Sequence, residues 1–487
     1  MASLKKLASQ TAIYGLSSIL GRLLNFVLTP LHTSALPKEE YGQNTDIYSM
    51  IAFLMVILTF GMETAFFRFY SDKRFTHRQV FSATTGLTCM LSIPFILLVY
   101  AFLGPLADFL QYAQHPEFVL WMALIVGSEA MAAVPFAKLR AENRPVKFVV
   151  VRMATTGSIV ILNVLFFWLF PYLHREGMAS GFIDLVYDPE LGVAYIFIAN
   201  LIGNGLLMLM FLPEFIRIQW SLNKVLFKEM VWYSTPLVIG GLAGIANEMA
   251  NRQFLKYLLP PKENFEALGI FGANIKIATF MMLFIQAFRF AAEPFFFSGE
   301  GDFKDKMAKV MRYFVAIQAF IFVGLVCFLE IIKQTRFIDE KYWDGLSIVP
   351  ILIFANLLLG INFNLNIWYK IKSLTKMGVY ITFMGLFFTI VSNFILVPYY
   401  GYMGAAWSTL ISYASMTLYS YYLNQKYDRT DYPVKDIGLN LLVAVILAGI
   451  SFYIFKSQLF PSLLCFTAYL IFAWFANGKT LLKALRK

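Results

Sequence analysis

Fourteen apolar runs, most of them about the ~20 residues that a helix needs to cross a hydrocarbon core, follow one another along the chain with short polar breaks between them. Such a chain folds in a bilayer, where every backbone amide has to be satisfied inside its own segment, and helices do this. The runs centre on 9–31, 42–66, 80–104, 117–138, 148–170, 191–213, 230–255, 268–290, 310–332, 346–368, 377–397, 403–424, 437–455 and 460–477. The expected fold class is therefore all-α, a polytopic membrane protein with 14 transmembrane helices. Apolar residues form 59% of the chain and charged residues 14%, which excludes a soluble globular enzyme. Lys5 and Lys6 before the first run imitate a signal peptide, with Thr33-Ser34-Ala35 as a small-residue site. Arg22 and Asn25 interrupt that run, however, and it outlasts the roughly 7–15-residue apolar region of a signal, so it reads as a helix.

Alternating the connections places 26 loop Lys and Arg on one side and 8 on the other, which puts both termini in the cytoplasm. The longest connection on the outer side, Pro171 to Glu190, is too short for a separate domain. Its Asp184 and Asp188 have no companion His or metal-ligand spacing, so neither a catalytic nor a metal site is expected. Cys89, Cys327 and Cys465 all fall inside apolar runs, which gives no disulfide framework. A nucleotide-binding Gly-rich loop is missing, so no ATP chemistry and no cofactor is expected, and nothing points to a nucleic-acid partner.

The stretch from Tyr41-Gly42 to Phe69-Tyr70-Ser71 matches Leu268-Gly269 to Phe296-Phe297-Ser298 at one constant offset. Asn163 leading to Pro171 matches Asn393 leading to Pro398, and Leu191-Gly192-Val193-Ala194 matches Met403-Gly404-Ala405-Ala406. These matches divide the chain into two six-helix lobes, 1–216 and 217–430, and an appended pair of helices with a tail, 431–487. Both lobes start on the same side, so they are parallel repeats, and the substrate site is expected at their interface.

An ionisable group at mid-membrane costs roughly 2.5–3.5 kcal/mol on insertion scales, so each one calls for a cavity, a partner or a helix end. Thr11, Gly15, Ser18, Arg22, Asn25 and Thr29 recur at alternating spacings of four and three, on one face of the first helix. The seventh helix carries Asn247, Glu248, Asn251 and Arg252, with Glu248 and Arg252 spaced to pair. The eighth carries Lys276, Arg289 and Glu293 along one side, the last two again four apart. Arg22, Arg252 and Lys276 thus predict a central cationic cavity suited to phosphate or pyrophosphate, with Asn25 beside Arg22 and Arg289 toward the cytoplasmic exit. Glu63 and Glu129 are the acids available to neutralise Arg22. Glu248 and Glu293, each one turn from an Arg, are the leading candidates for coupling transport to protons, with Glu63 and Glu129 behind them, and sodium coupling stays open.

Several short motifs carry a resemblance. Ala12-Ile13-Tyr14-Gly15-Leu16-Ser17-Ser18 with Gly21-Arg22, Glu39-Glu40-Tyr41-Gly42, and Gly61-Met62-Glu63-Thr64-Ala65 with Arg68-Phe69-Tyr70 come first, and Glu293-Pro294-Phe295-Phe296 and Tyr400-Gly401-Tyr402-Met403-Gly404 follow. In their order and spacing these resemble the Wzx-type polysaccharide and oligosaccharide flippases of the multidrug/oligosaccharidyl-lipid/polysaccharide superfamily. The resemblance implies a V-shaped alternating-access transporter in a bacterial inner membrane. It implies as cargo an undecaprenyl-pyrophosphate-linked oligosaccharide moved from the cytoplasmic to the periplasmic leaflet, with membrane lipids and glycan-assembly machinery as partners. MurJ-like lipid II flippases share the plan. Drug exporters, and membrane glycosyltransferases or polymerases, fit the charge pattern and the short loops less well.

Overall fold

The computed structural model describes residues 26–178, 180–219, 223–297, 303–372 and 374–485, with side chains throughout except at 180, 290–297, 303 and 477–485. Arg22 and Asn25 lie outside the described residues, as does the side chain of Glu293. The described chain is all-helical, 87% helix with no strand. Eleven of its helices are long and apolar enough to cross a membrane, and the protein is a multi-pass membrane protein.

Eleven and the expected fourteen differ at three places. The first run is described only from residue 26 on, where it is helical. The seventh lies in the helix Lys224–Leu258, whose uncharged stretch 230–247 is diluted by Trp232, Tyr233, Ser234, Thr235 and Pro236 and so falls just short on apolarity. The eleventh and twelfth share the 52-residue helix Lys376–Tyr427. At ~1.5 Å per residue an unbroken helix of that length would run about 78 Å, far beyond one bilayer core. Gly401 breaks it, at φ 53° and ψ −131°, a conformation that a residue without Cβ reaches cheaply.

Contacts divide the chain into two units, Met1–Ala246 and Asn247–Lys487. The sequence places its division where the sixth run ends, at 216. The contact boundary falls inside Lys224–Leu258, because the two parts of that helix pack with different partners.

In unit 1, α1 (Lys38–Thr59) and α2 (Met62–Tyr70) form one span bent at Phe60 and Gly61, both with positive φ. α3 (His77–Ala101) opens on a capping box between Thr76 and Gln79, which satisfies two backbone N–H groups that the helix leaves unpaired. α4 (Pro116–Ala141) and α5 (Pro145–Val164) each begin with Pro, at the position where a missing N–H costs nothing. α6 (Ala194–Ile216) and the first part of α7 (Lys224–Leu258) complete the unit. Met62, Phe66 and Phe69 of α2 pack with Val80 and Phe81 of α3 and with Leu226 and Met230 of α7. Phe148, Val151, Leu207 and Phe211 tie α5 to α6. In the polar loop after α2, Arg74 meets Asp72 and Glu229 at 2.8 Å each. Hydrogen bonds from Arg74 hold the Asp72 carboxyl below its usual range.

Unit 2 contains the rest of α7, α8 (Asn264–Phe297), α9 (Phe303–Cys327), α10 (Val349–Leu365), α11 (Lys376–Tyr427), α12 (Val434–Gly449) and α13 (Leu459–Leu485). The last two pack on α9. Phe466 sits 5.3 Å from Phe320 and 5.0 Å from Phe328, the Tyr469 hydroxyl donates to the Ala316 carbonyl, and Arg312 reaches Asp436 at 3.2 Å.

Each unit has a buried acid that holds two lysines. Glu214, at the end of α6 and 5% exposed, binds Lys138 of α4 and Lys147 of α5. Asp428, just past α11 and also 5% exposed, receives Lys304 at 2.8 Å and Lys372 at 2.7 Å. Burial alone pushes the Asp428 carboxyl up, yet hydrogen bonds from the two lysines hold it below the ordinary range.

Candidate functional site

The polar residues that the sequence singled out on the seventh and eighth helices come together in unit 2. Arg252 is half-buried on α7, and its Nη1 donates to the Glu248 carbonyl at 2.9 Å and approaches Met249 Sδ at 3.0 Å. Its guanidinium stands 5.9 Å from the centre of the Phe271 ring, a cation–π distance. Glu248 and Tyr413 lie within electrostatic reach of it, as does Lys276, half-buried on α8. The pairing expected between Glu248 and Arg252 is not made. Long side chains on a helix lean toward its N-terminus, and Arg252 spends its hydrogen bond on the carbonyl one turn back, while the Glu248 carboxylate is exposed. Neither Arg252 nor Lys276 forms an ion pair with a carboxylate among the described residues.

Arg289 lies further along α8, half-buried, with its guanidinium 4.5 Å over the Phe363 ring and Tyr369 close by. Asn362, Asn364 and Asn366 of α10 and its C-terminal cap are buried, and Asn366 Oδ1 accepts from Ser420 at 2.9 Å.

Beside the cationic pair runs a polar network that the sequence reading did not assemble. Asn251 donates to Thr409 Oγ1 at 2.6 Å and accepts from Asn393, which also reaches Ser408. Asn247 donates to the Thr382 carbonyl and accepts from Thr389, which in turn bonds Ser412. The signal was present: Thr389, Ser392 and Asn393 share one face of a helix by spacing, as do Ser408, Thr409 and Ser412. In an apolar surrounding each such bond replaces an unsatisfied group, and the network fixes the second part of α7 against α11.

Unit 1 holds the other two acids. Glu63 forms an ion pair with Arg140, whose guanidinium also lies 5.1 Å over the Phe67 ring. Glu129 sits mid-way along α4, beside Asn204 and Arg152, with Tyr48 in reach. It makes no ion pair among the described residues. Asn163 bonds His32 at 2.7 Å in this unit, and in unit 2 Asn393 bonds Asn251. Among the described residues no cluster of His, Cys, Asp and Glu could hold a metal ion, and the three cysteines are buried and unpaired.

Three solved structures resemble the chain over most of its length. The lipid II flippase MurJ in an inward closed conformation aligns with a TM-score of 0.71 at 14% identity, over 97% of this chain and 100% of that one. An inward-facing multidrug resistance MATE family transporter of the MOP superfamily gives 0.60 at 12% identity, over 83% of this chain and 94% of that one. The fold is that of the MurJ and MATE transporters. The MATE multidrug transporter DinF-BH aligns similarly, at 0.59 and 18% identity over 88% of this chain and 96% of that one. In sequence, the uncharacterized membrane protein MJ1068 of Methanocaldococcus jannaschii is 22% identical over 452 residues, 88% of this chain and 86% of its own. No family model matches. Within the MurJ and MATE fold this chain carries Arg252 and Lys276 without carboxylate partners among the described residues, and that arrangement attracts anions.

Proposed function

We propose that the protein is a Wzx-type flippase with fourteen spans in two six-helix lobes and an appended pair. On this reading it moves an undecaprenyl-pyrophosphate-linked oligosaccharide from the cytoplasmic to the periplasmic leaflet by alternating access through a cationic cavity. The observation that carries the reading is Arg252, set by the Phe271 ring and next to a neutral polar network, with Lys276 in electrostatic reach. A guanidinium grips a phosphate through several hydrogen bonds and an ammonium adds a point charge, which suits a pyrophosphate that has to leave water. Arg289 lies further along the helix that carries Lys276, and the sequence adds Arg22 and Asn25 as candidate cargo contacts. A second reading, lipid II as the cargo, is favoured by the likeness to MurJ and uses the same pyrophosphate contacts.

Proteoliposomes carrying a fluorescent undecaprenyl-pyrophosphate-linked glycan in one leaflet test the proposal, with a membrane-impermeant quencher outside. The protein should move the glycan lipid and not a neutral undecaprenol, while a cationic dye that moves instead would place it with the drug exporters. Thiol labelling of intact cells tests the orientation, since a cysteine placed between Pro171 and Glu190 should react from the periplasm and one near Lys304 should not.

A further inference from the structure

The connection between α5 and α6 carries no catalytic pattern, yet it is built with unusual care. α5 runs into a π-helical turn, Leu165–Leu169, and a last helical turn, Phe170–Arg175. The extra residue of a π turn re-aims the side chains beyond it. Phe166 turns inward and stacks on Tyr195 at 4.4 Å, Tyr195 stacks on Tyr187 at 5.5 Å, and the Tyr195 hydroxyl accepts the Asp188 N–H at 2.7 Å. Trp168 and Tyr172 are left facing outward. At the far end, the Glu40 carboxylate accepts the Val193 N–H at 2.8 Å. The segment is thus held at both ends.

Between these anchors the helix Ser180–Val186 divides its circumference into three arcs. At 100° per residue, Ile183 and the following Tyr187 share one arc, and Ile183 is buried at 1% exposure. Asp184 occupies a second, exposed and paired with His174 at 3.2 Å. Phe182, Leu185 and Val186 share the third, at spacings of three and four, and are 61%, 83% and 40% exposed. One arc faces protein and one faces water. The third is apolar and has no protein partner among the described residues, and it continues the outward surface of Trp168 and Tyr172 on a membrane-spanning helix.

We propose that Phe182, Leu185 and Val186 seat this helix in the headgroup and upper acyl region of the bilayer, as an interfacial anchor of unit 1. A short helix lying in the interface buries its apolar arc about 5–10 Å deep and keeps its acids in water, which is the division seen here. Trp168 and Tyr172 then mark the same depth from the spanning helix, where aromatic rings favour the membrane boundary.

The wild-type protein tests this in lipid nanodiscs that contain a lipid with a diazirine near its headgroup. After irradiation, mass spectrometry should find adducts on Phe182, Leu185 and Val186 and none on Asp184 or Asp188; equal labelling of both arcs, or none, overturns the proposal. Nitroxides at L185C and D184C give a second measure, and the native thiols are buried, so labelling is directed. Oxygen should relax the label at 185 severalfold more than a water-soluble nickel chelate does, with the order reversed at 184. Strong spin–spin broadening at 185 between two copies in one disc would assign the face to a dimer and overturn the lipid proposal.

Discussion

Replacing Asp428 by Asn removes the charge that holds Lys304 and Lys372 and leaves both lysines beside a neutral amide. A hydrogen bond to a charged group is worth about 1.5–3 kcal/mol. Here the acid is 5% exposed but the lysine side chains are 47% and 48% exposed, so solvent screens much of each interaction and the triad contributes about 2 kcal/mol. For a unit of this size 1 kcal/mol shifts a melting midpoint by about 2–4 °C, so Asp428→Asn should lower it by about 4–8 °C. The buried cysteines supply the assay, because a thiol-reactive fluorophore reports their exposure as the protein unfolds in nanodiscs. The pH dependence follows from the sign of the shift. The Asp428 carboxyl is held below its unfolded value, so its contribution is complete above about pH 4 and fades as the pH falls through the folded value. The gap between wild type and variant should therefore stay constant from neutral to mildly acidic pH, close below that, and shrink in high salt. An unchanged midpoint at neutral pH, or a gap that widens with acid, would refute the reasoning.

Arg252→Ala and Lys276→Ala should each lower apparent affinity for a pyrophosphate-linked lipid by about ten- to a hundredfold, since a charged contact in a partly buried site is worth roughly 1.5–3 kcal/mol, and Arg252→Lys should lose less. Full transport by both Ala variants at normal expression would remove the cationic site. Glu248→Gln and Glu293→Gln should blunt the response of transport to an imposed pH gradient, measured in proteoliposomes; if both respond as wild type does, the coupling is assigned wrongly, and Glu129→Gln is the next variant to measure. Gly192→Ala should cost about 1–3 kcal/mol and open the Pro171 to Glu190 connection to protease, because φ is +42° there and an added Cβ would collide with the Glu40 carboxylate.

The helices were legible because membrane spans are written in long apolar runs, and the run boundaries for 80–104, 117–138 and 191–213 fall close to α3, α4 and α6. The break between the eleventh and twelfth runs was legible too, since the sequence ends one at 397 and begins the next at 403, and Gly401 breaks the helix between them. The residues of the candidate site were legible as types, for charge at membrane depth stands out. Their partners were not. Glu248 and Arg252 have the spacing of an ion pair, yet the side chain had a nearer carbonyl, and Glu63 found Arg140, far away in sequence. The hydroxyls around Asn393 were passed over because single Ser and Thr residues are common in membrane helices, and only the neighbouring helix reveals that they join.

The two units share some kinds of contact while differing in the residues that make them. Asn163 and Asn393 were matched in sequence and each bonds a side chain on another helix of its own unit, but one partner is His32 and the other Asn251. Glu214 and Asp428 each hold two lysines, yet they differ in type and in offset, so matching the sequence to itself cannot pair them. What is retained is a donor facing an acceptor, or an acid facing two cations. The same reasoning bears on the cationic pair. Two polar neighbours on α7, Asn247 and Asn251, supply hydrogen bonds without charge, so they fix the helix and add no carboxylate beside Arg252. A carboxylate at either position could not donate to the Thr382 carbonyl or to Thr409 as these amides do, and it would set a negative charge beside the guanidinium. Under the proposed function, that arrangement is the one expected of a site whose anion arrives from outside the protein.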